Sequence, residues 1–246
     1  MTDGSGQTEP VPSQLADQLA GVARVLLSPG SVPETLQRIV QLAVASIDGC
    51  DASALCGCAG SGPQPYSSPL VAELDEIQSS LGEGPCIDAL GGVDSVYVAD
   101  LSVDLRWPHF APIAVRSGVR SALAYRLFDE TGTLGALQLY ARAADAFALL
   151  ERTQGLIFAS LAGMAIAVAA DHASQIDRTA NLEAALISRE LIGQAQGILM
   201  ERERITGAQA FDQLRRSSQH LNRKLRDVAQ ELIDTGNVPG DDTQRP

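Results

Sequence analysis

The chain has 246 residues, a net charge of −12 and a hydrophobic fraction of 45%, which suits one or two folded domains and excludes general disorder. The strong negative charge argues against nucleic-acid binding over the whole surface. The first residues lack the basic and apolar regions of a secretion signal, so we predict a cytoplasmic protein without structural disulfides.

The N-terminal part of the chain is predicted to begin with helices. Residues 1–12 are polar and are expected to be disordered. A helix is predicted over 13–27 and a second one from Ser31, which is placed to cap it, while Pro33 is tolerated in the first turn. From residue 52 onwards we expect strands and loops, including a loop at 60–69.

Four extended segments are predicted, at 52–59, 95–98, 121–128 and 134–140. The last two flank Asp129–Gly132, whose sequence Asp-Glu-Thr-Gly is typical of a hairpin turn. A helix is expected over 108–117. Helices at both ends of the region with antiparallel strands between them predict an α+β fold with a sheet flanked by helices.

A long helical pattern without proline runs from Phe147 to Glu203, with a break expected near Asn181. Its most apolar run, 156–170, is short for a membrane span and is predicted to be a buried helix, so we expect no membrane partner. A coiled-coil seam that predicts a homodimer is formed by Leu182, Ala185, Ile192 and Leu199. A second stripe, expected to face the following helices, contains Ile187, Leu191 and Ile198.

Two short helices are predicted after the long one. Thr206 and Gln209 form a capping box that begins a helix, which is expected to fade from Ser217 onwards. Asn222 is predicted to cap a last helix that ends near Gly236. Residues 176–240 are therefore expected to form a three-helix unit, and 241–246 a disordered tail.

The basic residues are unevenly distributed. Residues 1–180 carry 20 acids and 9 bases, whereas 181–234 carry 8 of each. A basic cluster, with no acid in the sequence between Asp212 and Asp227, contains Arg215, Arg216, Arg223, Lys224 and Arg226. Most such runs are solvated helix faces. This one lies at the junction of two helices beside polar residues, which favours RNA.

The C-terminal unit resembles the ANTAR family over about 55 residues. The matching text is Ser188-Arg-Glu-Leu-Ile-Gly-Gln-Ala-Gln-Gly-Ile-Leu-Met200, then Ala210-Phe211, Leu214-Arg215 and Asn222-Arg-Lys-Leu-Arg-Asp-Val-Ala229. The resemblance implies transcription antitermination through binding of paired hairpin loops in nascent RNA. The residues predicted to bind RNA are Gln194, Gln196, Arg215, Arg216, Ser218, Asn222, Arg223 and Lys224. The family often has Lys at the position of Gln196, so one phosphate contact is absent here.

Residues 31–172 resemble a GAF domain, and we place this sensor domain at 13–175 and the ANTAR domain at 176–240. The resemblance rests on Gly82-Glu-Gly-Pro-Cys86, Arg106-Trp-Pro-His-Phe110, Gly118-Val-Arg-Ser121 and Gly135-Ala-Leu-Gln-Leu-Tyr140. It implies an unknown small-molecule or redox signal. The motif of cyclic-nucleotide GAF domains is absent from the sequence.

The cysteines and histidines do not form a familiar site in the sequence. Cys50, Cys56, Cys58 and Cys86 do not match the spacing of zinc-binding pairs, and we expect buried, reduced thiols with the sulfurs of Cys56 and Cys58 on one face of a strand. The three histidines are dispersed, and no catalytic triad motif is present. We predict no catalytic residues, no metal and no cofactor, and hence not an enzyme.

Three functions follow in order of preference. The first is an antitermination regulator that binds RNA as a dimer. The second is a DNA-binding regulator that uses the last two helices as a helix-turn-helix. The third is a GAF protein that senses redox state or a metal through its cysteines.

Overall fold

The computed structural model describes residues 11–58 and 64–240, except for the side chains of residues 11–16. The chain divides into two compact units, the first ending at Ala173 and the second beginning at Ser174. The segments predicted to be disordered lie outside the described residues, apart from residues 11 and 12, which belong to the first helix.

The N-terminal unit contains both helices and strands. Its elements before the long helix are α1 (Val11–Leu26), α2 (Val32–Ser46), β1 (Ala52–Cys56), α3 (Pro69–Leu81), α4 (Pro85–Leu90), β2 (Ser95–Val98), α5 (Phe110–Arg116), β3 (Ser121–Asp129) and β4 (Gly132–Ala141). The capping box of α2 forms between Ser31 and Glu34. Only strands and loops were expected between residues 60 and 94, and helices α3 and α4 correct that expectation. Gly82 ends α3 in the left-handed conformation, and α4 begins with Pro85.

The four strands form one antiparallel sheet in the order β1-β4-β3-β2. The predicted hairpin is confirmed as β3 and β4. The carboxylate of Asp129 holds its turn by accepting hydrogen bonds from the backbone N–H groups of Thr131 at 2.7 Å and Gly132 at 3.1 Å. The mixed helix and sheet architecture confirms the α+β class.

Side chains alternate between the two faces of the sheet, so each face has its own core. Residues from α1, α2 and the beginning of the long helix pack on one face, against residues such as Leu137 and Leu139 of β4. Residues from α3, α4 and α5 pack on the other face, against Ala136 and Tyr140 of the same strand. The second face also carries the buried polar residues described below.

The long helix α6 (Leu149–Glu203) is continuous, so the expected break near Asn181 is wrong. By length and composition it could cross a membrane, with a mean hydropathy of 1.7 over its most apolar segment. However, 44% of that segment is buried inside the protein. The buried stripe, typical of a core helix, includes Phe158, Ala159, Ala162, Ala165 and Ile166.

The C-terminal unit consists of the last part of α6 with α7 (Gly207–Leu221) and α8 (Leu225–Thr235). The predicted capping box of Thr206 and Gln209 is confirmed at the start of α7. A small apolar core joins the three helices, with Ala195, Leu199, Ala210, Leu214, Val228, Ala229 and Leu232 buried. The polar residues of α7 and α8 therefore lie outside this core.

Candidate RNA-binding surface

The turn between α7 and α8, residues 222–224, presents three polar side chains to solvent. Asn222 ends α7 in the left-handed conformation, with φ 50°. The prediction that Asn222 caps α8 is wrong, because α7 continues to Leu221 and α8 begins only after Lys224. Asn tolerates the left-handed conformation better than other non-glycine residues, so it fits the end of a helix.

Hydrogen bonds across the turn fix its shape. The Ser218 hydroxyl donates to the backbone carbonyl of Arg223 at 2.6 Å, and the Arg223 N–H donates to the carbonyl of Ser218 at 3.0 Å. Ser218 is half-buried, whereas Asn222, Arg223 and Lys224 are all exposed. Ser218 therefore supports the turn from beneath, and the other three residues point their side chains outward.

Three arginines of the basic cluster have acidic partners in space. The Arg215 guanidinium lies 2.8 Å from the Asp212 carboxylate, and Arg223 lies 2.6 Å from Glu231. Arg226 pairs with its neighbour Asp227 at 3.3 Å. The sequence has no acid between 212 and 227, which suggested that the cluster was unpaired. In the structure Glu231, two turns along α8, reaches back to the turn. These exposed ion pairs contribute little to stability and are easily exchanged.

Two basic side chains in this region lack a carboxylate partner among the described residues. Arg216 Nε donates only to the backbone carbonyl of Asp212, at 3.3 Å. Lys224 is exposed, and its side chain makes no hydrogen bond or ion pair within the part of the chain that the structure describes. These two cations are the strongest candidates for binding a phosphate.

Of the two predicted glutamines of α6, Gln196 lies at the other end of α7 from the turn. The Gln196 amide donates to the carbonyl of Gly207 at 3.0 Å, so it supports the beginning of α7. A helix with the length of α7 separates its two ends by about 21 Å. Gln194 is exposed and bonds to Glu190 at 3.3 Å. The structure therefore brings 218 and 222–224 together but does not bring Gln196 to them.

The four residues of the predicted dimer seam do not share one open face. Leu199 is fully buried in the core of the C-terminal unit, and Ile192 packs against that core. Leu182 and Ala185 are exposed. Ile192 and Leu199 are therefore removed from the predicted dimer seam. The face of α6 on which α7 and α8 pack includes these two residues in addition to the predicted Leu191 and Ile198.

The N-terminal unit contains a second cluster of reactive groups. Cys56 and Cys86 are joined in a disulfide, which corrects the expectation of reduced thiols at these positions. Cys58 does not lie on the same face as Cys56, because Gly57 adopts φ 66° and turns the chain after β1. Cys56 and Cys86 are 30 residues apart in the sequence. Their pairing was not predicted, because Cys86 lies in α4, a helix that was not expected.

Burial changes the protonation of this unit's titratable groups. It raises the pKa of the free thiols of Cys50 and Cys58 to about 12 in each case. It also raises the pKa of the Asp75 carboxyl, although a hydrogen bond from Gln138 opposes the shift. Cys50 and Cys58 are therefore neutral and unreactive at physiological pH.

Comparison with known proteins gives results for both units. The ANTAR domain family matches residues 180–233, and no curated protein matches the chain. Bacteriophytochrome RpBphP3 from R. palustris is similar in structure, with a TM-score of 0.55 at 10% identity, over 78% of this chain and 44% of that chain. Free methionine-R-sulfoxide reductase from Neisseria meningitidis gives 0.51 at 14% identity, over 70% and 99%. The GAF domain of a phosphoenolpyruvate-protein phosphotransferase from Coxiella burnetii gives 0.50 at 15% identity, over 67% and 99%.

The chain therefore contains an ANTAR domain, and its N-terminal unit has the fold of a GAF domain, so the predicted GAF–ANTAR architecture is confirmed. ANTAR domains are RNA-binding modules of antitermination proteins, so the match supports a general role of the chain as a regulator. The structural similarities show the fold alone, and they include an enzyme.

Proposed function

We propose that the protein is a signal-responsive antitermination regulator that binds paired hairpin loops in nascent RNA through its C-terminal unit. The observation that carries this proposal is the 222–224 turn, which exposes Asn222, Arg223 and Lys224 within the ANTAR domain. Basic side chains bind phosphates, and short polar side chains can contact the unstacked bases of RNA loops. The turn supplies both kinds of group.

The charges of this region suit a phosphate ligand. Lys224 and Arg216 have no carboxylate partner among residues 11–58 and 64–240, so they are proposed to contact the RNA backbone directly. Arg215 and Arg223 would exchange their carboxylate partners for phosphates. Because both ion pairs are exposed, this exchange costs little free energy. Ser218 is proposed to act mainly by holding the turn.

The charge of α8 favours RNA over duplex DNA. In a helix-turn-helix, α8 would enter the negatively charged major groove. It carries three acidic residues, Asp227, Glu231 and Asp234, against one basic residue, Arg226. Carboxylates on a recognition helix would repel the DNA phosphates. We therefore expect a hairpin RNA to compete better than duplex DNA at moderate salt.

The test uses Arg223→Gln with Lys224→Gln in the full chain, and a two-hairpin RNA identified by sequencing transcripts that co-purify with the protein. Each lost phosphate contact should reduce the slope of log affinity against log salt by roughly 0.7 to 0.9, and the affinity for all hairpins should fall alike. The matched control is Arg116→Gln with Arg142→Gln, two exposed arginines of the N-terminal unit. A folded test variant with unchanged affinity and salt slope would show that the turn is only a solvated surface.

Asn222→Gly separates a role in RNA binding from a role in the turn. Glycine adopts a φ of 50° without strain, so this variant keeps the backbone and loses only the side chain. We expect weaker discrimination between hairpins with different loop bases. Equal discrimination by the wild type and the variant would limit Asn222 to its structural role.

Dimerisation is proposed through the part of α6 that the core of the C-terminal unit leaves open. Leu182, Leu186 and Ile187 are 68%, 67% and 59% exposed there, and two copies that cover them would present two RNA-binding turns. Leu182→Glu should weaken dimerisation at least about tenfold, because it places a charge in an apolar interface. Asn181→Glu is the neighbouring control, and sedimentation is the measurement. A Leu182→Glu variant that dimerises like the control would exclude this surface.

The N-terminal unit is proposed to receive the signal, as a small molecule or a redox change. We propose that it does so without an enzymatic activity and in the cytoplasm, where nascent transcripts are available.

A further inference from the structure

The Cys56–Cys86 disulfide and one carboxylate converge on the face of the sheet that α3, α4 and α5 cover. Cys56 ends β1, Cys86 lies in the first turn of α4, and Asp75 lies on α3. One ligand atom of each, the two Sγ atoms and a carboxylate oxygen, all lie within 4.8 Å of one another. Both cysteines are buried and Asp75 is half-buried.

Buried amides orient these groups. Gln138 Nε2 donates to the Asp75 carboxylate at 3.2 Å, and Gln78 Oε1 accepts the backbone N–H of Cys86 at 2.9 Å. The two glutamines are joined by a hydrogen bond of 2.8 Å, and both are fully buried. Metal sites in proteins are commonly supported by hydrogen bonds of this kind, which fix the orientation of the ligands.

The carboxylate of Asp75 has no cationic partner among the described residues, and its hydrogen bond comes from a neutral amide. Removing a carboxylate from water costs free energy that an opposite charge would offset. After reduction of the disulfide, two thiolates and one carboxylate would offer three negative charges, and a divalent cation would neutralise most of them.

We propose that Cys56, Cys86 and Asp75 form a binding site for a thiophilic divalent metal ion, with zinc as the first candidate, when the two cysteines are reduced. In this structure the two sulfurs are bonded to each other. After reduction they would have to separate to about 3.8 Å, the spacing that two Zn–S bonds of 2.3 Å give in a tetrahedral site. Thiolate ligands favour zinc over magnesium or calcium. Three protein ligands leave the fourth position open to water or to another donor.

Oxidation closes this site. When the metal binds, the two thiols release two protons and each sulfur forms a bond to the metal. A peroxide then oxidises the site: the two thiolates lose two electrons and form the Cys56–Cys86 disulfide. The O–O bond of hydrogen peroxide breaks and takes up those electrons with two protons, giving two water molecules and the free metal ion. The disulfide in the structure is the oxidised form.

Cobalt(II), added to the reduced full-length protein, is a suitable probe, because thiolate ligands give it a characteristic charge-transfer absorption. We expect one cobalt ion per chain, a charge-transfer band, and loss of both after treatment with hydrogen peroxide. Cys56→Ser and Cys86→Ser should abolish the band. Asp75→Asn should raise the dissociation constant at least about tenfold while keeping both thiols.

Cys50→Ser is the matched control, because this buried thiol packs in the core on the other face of the sheet. The control should keep the band. Reduced wild-type protein without a charge-transfer band would overturn the proposal, as would a band that survives both Cys56→Ser and Cys86→Ser. If a cysteine variant fails to fold by circular dichroism, Asp75→Asn decides the question. The absorption does not depend on RNA, so its outcome is independent of the proposed function.

Discussion

The two units place their polar groups differently. In the N-terminal unit Gln78, Gln138 and Tyr140 are buried between the sheet and its helices, where they bond to one another. In the C-terminal unit the core is apolar, and the polar and charged side chains lie around it. A buried network has fixed partners, whereas exposed ion pairs such as Arg223 with Glu231 can exchange theirs.

This difference in the placement of polar groups suits different roles for the two units. A small chemical change within a buried network leaves polar groups without partners, so it has a large effect on the packing around it. An exposed turn can bind and release a charged ligand without disturbing the core. We infer that the N-terminal unit is built to respond to a change, and the C-terminal unit to bind a partner.

The largest expected effect comes from removing core volume. Leu232→Ala in the small C-terminal core and Leu137→Ala in the sheet should each cost about 2–5 kcal/mol of unfolding free energy, because both leucines are fully buried. Leu232→Ala should melt the C-terminal helices selectively. Trp107, the one tryptophan of the chain, lies in the N-terminal unit, so its fluorescence should be unchanged while circular dichroism falls. A shift of both signals together would show that the units unfold as one.

The second largest effect on unfolding free energy is expected from the buried network of Gln78, Gln138 and Tyr140. Gln78→Met should cost about 1–3 kcal/mol, because it leaves the Cys86 N–H and the side chains of Gln138 and Tyr140 short of partners. Gln37→Met on the exposed side of α2 is the control. Urea unfolding followed by tryptophan fluorescence measures both. Equal stability of the two variants would contradict a structural role for the network.

High pH should destabilise the N-terminal unit. Burial raises the pKa of Cys50 from 9.0 to about 12, so the unfolded chain loses this proton first, and stability falls as the pH rises through this interval. Between pH 9 and pH 11 the loss should approach about 1.4 kcal/mol per pH unit. Cys50→Ala should lose less stability than the wild type over the same range. Parallel pH curves from urea unfolding would show that this thiol does not contribute.

The smallest effect concerns the turn. Asn222→Ala should destabilise the C-terminal unit by about 1 kcal/mol, because alanine adopts a positive φ less readily than asparagine. Asn222→Gly should be close to neutral. Thermal unfolding followed by circular dichroism compares the two. An alanine variant as stable as the glycine variant would mean that the turn adapts to the substitution.

Local signals made much of the fold predictable. The β3–β4 hairpin and the capping boxes at Ser31 and Thr206 each depend on residues a few positions apart. Helix α3 was missed although Pro69 and Gly82 mark its two ends, because the Gly- and Pro-rich stretch before it suggested loop.

The sites were less predictable, because they depend on residues that are distant in the sequence. Asn222 suits either end of a helix, and only the length of α7 assigns it to the end of that helix. The pairing of Arg223 with Glu231 depends on how α8 leaves the turn. Cys56, Asp75 and Cys86 lie on three elements, and two of them were not recognised as helices.

The order of strands in the sheet has a consequence for synthesis of the protein. Strand β1 pairs only with β4 among the named strands, through a register that joins Ala52 to Tyr140. On the ribosome β1 must therefore wait for its partner strand until β4 has been made and has left the exit tunnel. The C-terminal helices make closer contacts along the chain and can fold soon after they emerge. The N-terminal unit is begun first, but its slower pairing gives it the longer exposure to chaperones and to aggregation.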